Sequence, residues 1–387
     1  MFARERPRRA GTLGSRAAAL PAALSLLLVL SCGPAASGPP AAAPAAAGPA
    51  GGSAPSAASS AASSAPAADA PAAHAAPPAG KPEQQKVVVR MDWIPWATHA
   101  PLHLAVERGW FTERGLDVEI QDGNGSVVAV QTVGAGHFDV GFASLGAMIV
   151  GRDEGLPVRS IASIVRKGDL GGVYRESTGI RTPKDWEGKS LLTTPGSFEQ
   201  PFLEPFLRKN GADPDRVNIV AVDASARLPA FLAKRGEVYI TAVPQQIARL
   251  NKVEPMSSII FADYGLPLPG HGFFTTEDVI KTKPNMLRAF VDAAVRGWEY
   301  SREHSDEAMQ IMYARRADAN LADYEGELAG LEAYRDYLDT DRTRGKTIGW
   351  HSEEDWADML RTMADAGVIK AAGKPTEYFT NDFIPNR

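Results

Sequence analysis

Cysteine is nearly absent from this chain of 387 residues: Cys32 is the only one. No intrachain disulfide can form, and thiol catalysis beyond the N-terminal tract is excluded. The signatures of common hydrolases and nucleotide-binding enzymes are missing as well, since there is no G-x-S-x-G, no G-x-x-x-x-G-K-[ST] and no H-E-x-x-H. His99 and His103 stand four apart, but His137, His271, His304 and His351 follow no matching spacing. A zinc site needs three or four ligands, so neither a metal nor another cofactor is expected, and no catalytic residue is assigned. Basic residues are in deficit: outside the first 31 residues there are 36 against 45 acidic ones. Such a balance disfavours nucleic acid and anionic lipid surfaces as partners. After Cys32 no segment is long and apolar enough to span a bilayer.

The N-terminal tract carries Arg4, Arg6, Arg8, Arg9 and Arg16 against Glu5, then runs apolar through "ALPAALSLLLVLS" to Cys32. This is the n-region and h-region of an export signal over residues 1–31. "VLSC" resembles a lipobox, where bacterial lipoproteins are diacylated on the cysteine, although Leu30 stands where a small residue is usual. The simpler alternative is an ordinary signal peptide with an incidental cysteine. From Gly33 to about Gly80 the chain is almost wholly Ala, Pro, Ser and Gly. That composition buries too little apolar surface to offset ordering, so residues 32–84 are expected to be a disordered tether spanning about 40 Å. The expected location is extracytoplasmic, on a bacterial membrane held through the lipid.

Beyond it, short apolar runs alternate with helical patterns: "KVVVRMDW", "LDVEIQ", "DVGFAS" and "VRSIASIV" read as strands, with helices between them. A second alternating block runs from "DWEGKSLLTT" to "EVYITAV", after which the chain turns mainly helical. The expected class is α/β, two lobes that are each an open, mainly parallel sheet flanked by helices. Ligands settle at the carboxyl ends of strands in such sheets, here in a cleft between lobes.

Candidate site residues cluster at those strand ends. Trp93 and Trp96 flank Pro95 on a stiff loop and offer flat faces for a planar ligand, although a tryptophan at a strand end also serves as core. Ser126 in "DGNGSVVAVQ" and Ser197 in "TTPGSFEQPF" follow Gly-containing turns, where helix N-termini favour polar or anionic groups; simple capping accounts for them equally. Ser144 ends a third strand. Asp92 and Glu199 read as hydrogen-bonding carboxylates or, if the lobes bring them together, an acid–base pair.

"DWIPWATHAPLHLAVERGWFTERGLDVEI", "QTVGAGHFDVGFAS", "GIRTPKDWEGKSL" and "TKPNMLRAFVDAAVRGWEYS" together resemble the thiamine-pyrimidine-precursor and sulfonate, nitrate and taurine substrate-binding proteins of ABC importers. The resemblance implies a type II periplasmic-binding fold, with lobe 1 over residues 85–185 and 262–387 and lobe 2 over 186–261. It implies a monomer that delivers its ligand to an ABC permease with its ATPase. Trp93, Trp96 and Phe198 would stack on a planar heterocycle, Asp92, His99 and Glu199 would hydrogen-bond it, and Ser126, Ser144 and Ser197 would bind a polar substituent. A sulfonate, nitrate or other small anion is the alternative ligand, which no clearly placed arginine serves. The yeast thiamine-pyrimidine synthase is also similar in "DWIPWATHAP", including a histidine at the position of His99. That enzyme carries a cysteine cluster where this chain has Gly270, His271, Gly272, Phe273 and Phe274, which speaks against the enzymatic alternative.

Overall fold

Burial alternates along "KVVVRM", and the strand it forms, β1 (Lys86–Met91), buries Val87, Val89 and Met91 on one face. The computed structural model describes residues 80–317, 321 and 323–386. The signal segment, Cys32 and the tether up to residue 79 lie outside the described residues. In chain order the elements are β1, α1 (Ala100–Glu107), β2 (Asp117–Gln121), α2 (Ser126–Gly134), β3 (Val140–Ser144), α3 (Leu145–Asp153), β4 (Val158–Ser163), β5 (Leu170–Arg175) and β6 (Ser190–Thr193). There follow α4 (Leu203–Lys209), β7 (Asn218–Ala221), α5 (Ala224–Leu232), β8 (Val238–Ala242), α6 (Val243–Leu250), β9 (Met256–Ile260) and β10 (His271–Thr276). The C-terminal part is helical: α7 (Glu277–Thr282), α8 (Pro284–Ser301), α9 (Ser305–Arg315), α10 (Tyr324–Ala333), α11 (Glu353–Asp365) and α12 (Pro375–Tyr378).

These strands form two five-stranded sheets, ordered β2-β1-β3-β10-β4 and β7-β6-β8-β5-β9. Both are mixed. β10 runs antiparallel to β3 and β4, and β5 antiparallel to β8 and β9, while the other pairs are parallel. A parallel neighbour needs a long crossover, usually a helix. β10 arrives from the other sheet over a short connection with only a single 3-10 turn (Phe261–Tyr264), and it enters antiparallel. β3 and β10 are buried along their whole length, as central strands covered on both faces are.

Two boundaries differ from the sequence expectation. β5 pairs in the second sheet, so residues 170–175 belong with it and not with residues 85–169. The chain crosses between sheets over residues 164–169 and returns over 261–270. At the N-terminal edge Glu83, expected in the tether, accepts hydrogen bonds from the backbone of Asn285 (3.1 Å) and Met286 (2.9 Å) at the start of α8. An acidic side chain on a helix N-terminus satisfies its free N–H groups and its partial charge.

One buried cluster joins Val87, Phe142, Phe273, Phe290 and Trp298 around the first sheet. A second contains Trp186 with Phe206 stacked on Phe261 in the second lobe, together with Met148 of α3 and Trp356 of α11. The C-terminal tail returns to β4, where Thr380 N–H donates to the Ser160 carbonyl (3.0 Å). α10 instead reaches across to α6 of the second sheet through Glu327.

Candidate functional site

A cavity of about 350 Å³ lies between the sheets at the carboxyl ends of β1 and β8. From the first lobe come Asp92, Trp93, Trp96 and Ser126, with His271 at the start of β10; from the second come Phe198, Arg227, Tyr239, Thr241, Gln245, Gln246 and Arg249. Glu327 of α10 closes one side.

The floor is a hydrogen-bonded network around Asp92. Its Oδ1 lies 3.0 Å from His99 Nε2, its Oδ2 lies 3.0 Å from His271 Nε2, and Ser126 Oγ donates to Oδ2 at 3.2 Å. Burial alone would raise the Asp92 carboxyl, but the charge and hydrogen bond of His271, with those of His99, hold it well below the usual carboxylate range. Burial would likewise lower His271; Asp169 and Asp92 on its two sides outweigh that and raise it above an ordinary histidine. Tyr334 O–H donates to Asp169 (2.8 Å), completing the chain. Trp96 is wedged edge-on against His271, His99 and Tyr334, with ring centroids 5.5 to 5.9 Å apart, so its indole is fixed in direction.

On the opposite wall the Arg227 guanidinium is buried. It bonds the Ile240 carbonyl and pairs with Glu199 Oε1 at 2.9 Å, and it lies over the rings of Tyr239 (5.3 Å) and Trp93 (5.8 Å). Arg249 pairs with Asp323 and with Glu327 Oε1 (3.2 Å). Glu327 Oε2 also accepts from Ala97 N–H (2.8 Å) and Gln245 Nε2 (2.7 Å), tying the first lobe to the second. Burial, only partly opposed by Arg249 and these hydrogen bonds, pushes Glu327 up to about 7.

Of the residues singled out from sequence, Asp92, Trp93, Trp96, Ser126 and Phe198 line the cavity. His99, Ser144, Ser197 and Glu199 do not. His99 is fully buried behind Asp92, and Ser144 caps α3 by accepting from Ala147 N–H (3.4 Å). Ser197 Oγ donates to the Thr194 carbonyl (2.6 Å) within a turn, and the helix expected to follow it begins only at Leu203. Glu199 is spent on Arg227 and makes no pair with Asp92. His103 is buried with both ring nitrogens unpartnered, and burial pushes it down to about 3. Among the described residues no group of three His, Cys, Asp or Glu could hold a metal ion.

The residues missed by sequence reasoning come mostly from α5, β8 and α6. Arg227 lies on α5 and Arg249 on α6, and both correct the expectation of a cleft without arginine. "TAVPQQ" stands at a strand-to-helix junction like those of Ser126 and Ser144, and that signal would have found Gln245 and Gln246. Nothing in the sequence near Glu327 marks it.

The loops of Gly125 and Gly196 meet across the lobes. Val127 N–H at the start of α2 donates to the Gly196 carbonyl (3.1 Å), and Gly125 has φ of 147°. A Cβ on Gly125 would sit 2.2 Å from the Gly196 oxygen, so only glycine permits this approach.

The profile of the "NMT1/THI5 like" family matches residues 96–308, more than half of the chain. A formylaminopyrimidine-binding protein of Halalkalibacterium halodurans is 26% identical over 239 residues, covering 61% of this chain and 72% of its own. The riboflavin-binding protein RibY of Chloroflexus aurantiacus is 23% identical over 312 residues, 80% of this chain and 88% of its own. A 4-amino-5-hydroxymethyl-2-methylpyrimidine phosphate synthase of Saccharomyces cerevisiae is 22% identical over 237 residues, 56% of this chain and 66% of its own. Among solved structures, the alkanesulfonate-binding protein SsuA of Xanthomonas axonopodis superposes with a TM-score of 0.61 at 11% identity, over 77% of this chain and 99% of its own. That likeness establishes the two-lobed periplasmic-binding fold.

Proposed function

The chain belongs to the NMT1/THI5-like family, and from that premise we propose that it is an extracytoplasmic solute-binding protein that captures a planar nitrogen heterocycle for an ABC importer. The observation that carries this reading is the pairing of charges around an aromatic-walled cavity. Both cavity arginines already face carboxylates, Arg227 with Glu199 and Arg249 with Asp323 and Glu327. A small anion would meet no unpaired cation there among the described residues, whereas Trp93, Tyr239 and Phe198 bring aromatic rings to the cavity wall. The pyrimidine-binding and riboflavin-binding relatives support the same choice.

Asp92, Trp93, Trp96, Ser126 and Phe198 act on the ligand directly, while His99 acts through Asp92 and Glu199 through Arg227. The two crossings at residues 164–169 and 261–270 serve as the hinge, and ligand contacts made from both lobes favour the closed form. Cys32 carries the lipid, the tether gives the folded part reach, and the protein works as a monomer with a permease and its ATPase. The synthase relative raises an enzymatic reading. No cysteine stands at Gly270 to Phe274, where the resemblance to that enzyme implies a cluster of them, and the Asp92–Glu199 pair is not formed, so turnover is not proposed.

A thermal-shift screen of the whole chain tests the reading. Formylaminopyrimidine or riboflavin at a hundred times its dissociation constant adds about 2.7 kcal/mol and raises the melting temperature. Stabilisation by methanesulfonate or nitrate alone overturns it.

A further inference from the structure

A line of buried polar groups leaves the cavity floor and ends at the hinge. Asp92 Oδ2 lies 3.0 Å from His271 Nε2, His271 Nδ1 lies 3.6 Å from Asp169 Oδ2, and Tyr334 O–H donates to that same oxygen at 2.8 Å. Asp92 and His271 border the cavity, whereas Asp169 and Tyr334 do not. Asp169 is 2% exposed, so any effect it has on a ligand passes through its neighbours. The rings of Trp96, Phe142 and Phe198 pack against His271, and among the described residues Asp92 and Asp169 are the charged groups beside it. His99 stands beyond Asp92, and Tyr334 beyond Asp169.

Asp169 also stands where the chain changes lobe. The N–H groups of Ile164 and Val165 donate to the His271 carbonyl (3.0 and 2.8 Å), and those of Arg166 and Lys167 to the Tyr337 carbonyl (2.8 and 3.1 Å). His271 and Tyr337 pack with the first sheet, so residues 164–167 are held to the first lobe. From Asp169 onward the partners change: its carbonyl accepts from Val243 N–H (2.8 Å) at the start of α6, and Leu170 pairs with Ala242 of β8. Only Gly168 lies between the two sets. A Cβ there would sit 2.7 Å from the Leu268 carbonyl oxygen, so the two crossings touch at this glycine and a side chain would force them apart. The Asp169 main chain therefore moves with the second lobe, while its carboxylate is tied to Tyr334 in the core around the first sheet. At 3.6 Å its contact with His271 is longer than a hydrogen bond, which makes it the joint with room to tighten or loosen as the lobes turn.

We infer that Asp169 is a positioning residue for ligand capture: through His271 it couples rotation of the second lobe about Gly168 to the Asp92 carboxylate on the cavity floor. The inference rests on the proposal that a heterocycle binds at that floor. Burial would lower the His271 imidazole, but the carboxylates of Asp169 and Asp92 raise it to about 10, so the ring carries its charge at neutral pH between them. Removing the Asp169 charge takes away one of these two supports. The ring is then free to turn or to give up its proton, and Asp92 no longer meets the ligand in one orientation.

Calorimetric titration of the wild type, Asp92→Asn, Asp169→Asn and the double variant with formylaminopyrimidine and riboflavin tests the coupling. Each single variant binds the heterocycle about tenfold more weakly than the wild type does, and the double variant stays within about twofold of Asp92→Asn alone, because Asp169 acts through Asp92. Losses that multiply, or wild-type affinity in either folded single variant, overturn the inference and leave the heterocycle reading standing. Unliganded melting temperatures report folding; where Asp169→Asn does not fold, Tyr334→Phe, which deletes only the hydroxyl that holds Asp169, takes its place. A second readout needs no ligand. In nitrogen-labelled protein the His271 ring signals, assigned by their loss in His271→Gln, titrate at least about one pH unit lower in Asp169→Asn than in the wild type. A titration that Asp169→Asn leaves unmoved overturns the inference whatever binds. If neither heterocycle binds the wild type, the heterocycle reading fails, and the ring titration alone decides the link from Asp169 to His271.

Discussion

Glu327 shows most clearly how a single side chain couples the site to the fold. It is buried, it borders the cavity, and its two oxygens hold groups from both lobes. Burial raises its carboxyl from 4.5 to about 7. The folded state therefore holds this proton more tightly than the unfolded chain does, and stability falls as pH rises from about 4.5 through 7. Glu327→Gln removes that contribution. Denaturant unfolding at about pH 5 and about pH 8 then shows a smaller loss of stability in the variant than in the wild type; equal losses contradict the assignment. His271 adds a slope of the same sign at higher pH, because its raised value means stability that is full below the ordinary histidine range and lost above it. That term is common to both proteins and cancels. At this scale the sequence was legible where a residue sits at the end of an apolar strand, as Asp92, Trp93 and Ser126 do. It was illegible for Arg227 and Glu327, because their place at the cavity comes from helix packing between lobes, which no local pattern encodes.

At the scale of elements, the alternation of strand and helix was readable and the direction of two strands was not. β5 and β10 look like any other apolar run, yet each runs against its sheet because the chain reaches it from the other lobe. Only the sheet order reveals that origin. The two Gly-containing turns were also visible in sequence, though as separate anion sites. Their actual relation is contact, with the Gly196 carbonyl accepting from Val127 N–H at the N-terminus of α2. Gly125→Ala places a methyl against that carbonyl and strains a backbone of φ 147°. The variant is expected to bind ligand about tenfold more weakly, because the contact between the two lobes at Gly196 no longer forms. Small-angle scattering with ligand should show compaction in the wild type and little in Gly125→Ala; equal compaction would show that this contact does not govern closure.

The whole molecule joins an acidic, two-lobed binding domain to an N-terminal tract with one cysteine. No helix among the described residues is long and apolar enough to cross a membrane, and the proposed function places attachment at Cys32. Cys32→Ala should shift the protein from the membrane fraction to the extracytoplasmic soluble fraction. Retention in the membrane would assign anchoring to something other than the lipid. In the proposed function the cavity between the lobes takes a planar nitrogen heterocycle and not a free anion. The most direct measurement is a calorimetric titration of the whole chain with formylaminopyrimidine, riboflavin, methanesulfonate and nitrate in turn. One-to-one binding of at least one of the two heterocycles is expected, with a negative heat-capacity change from apolar burial, and no saturable heat from either anion. Saturable binding of methanesulfonate or nitrate, with neither heterocycle bound, would contradict it.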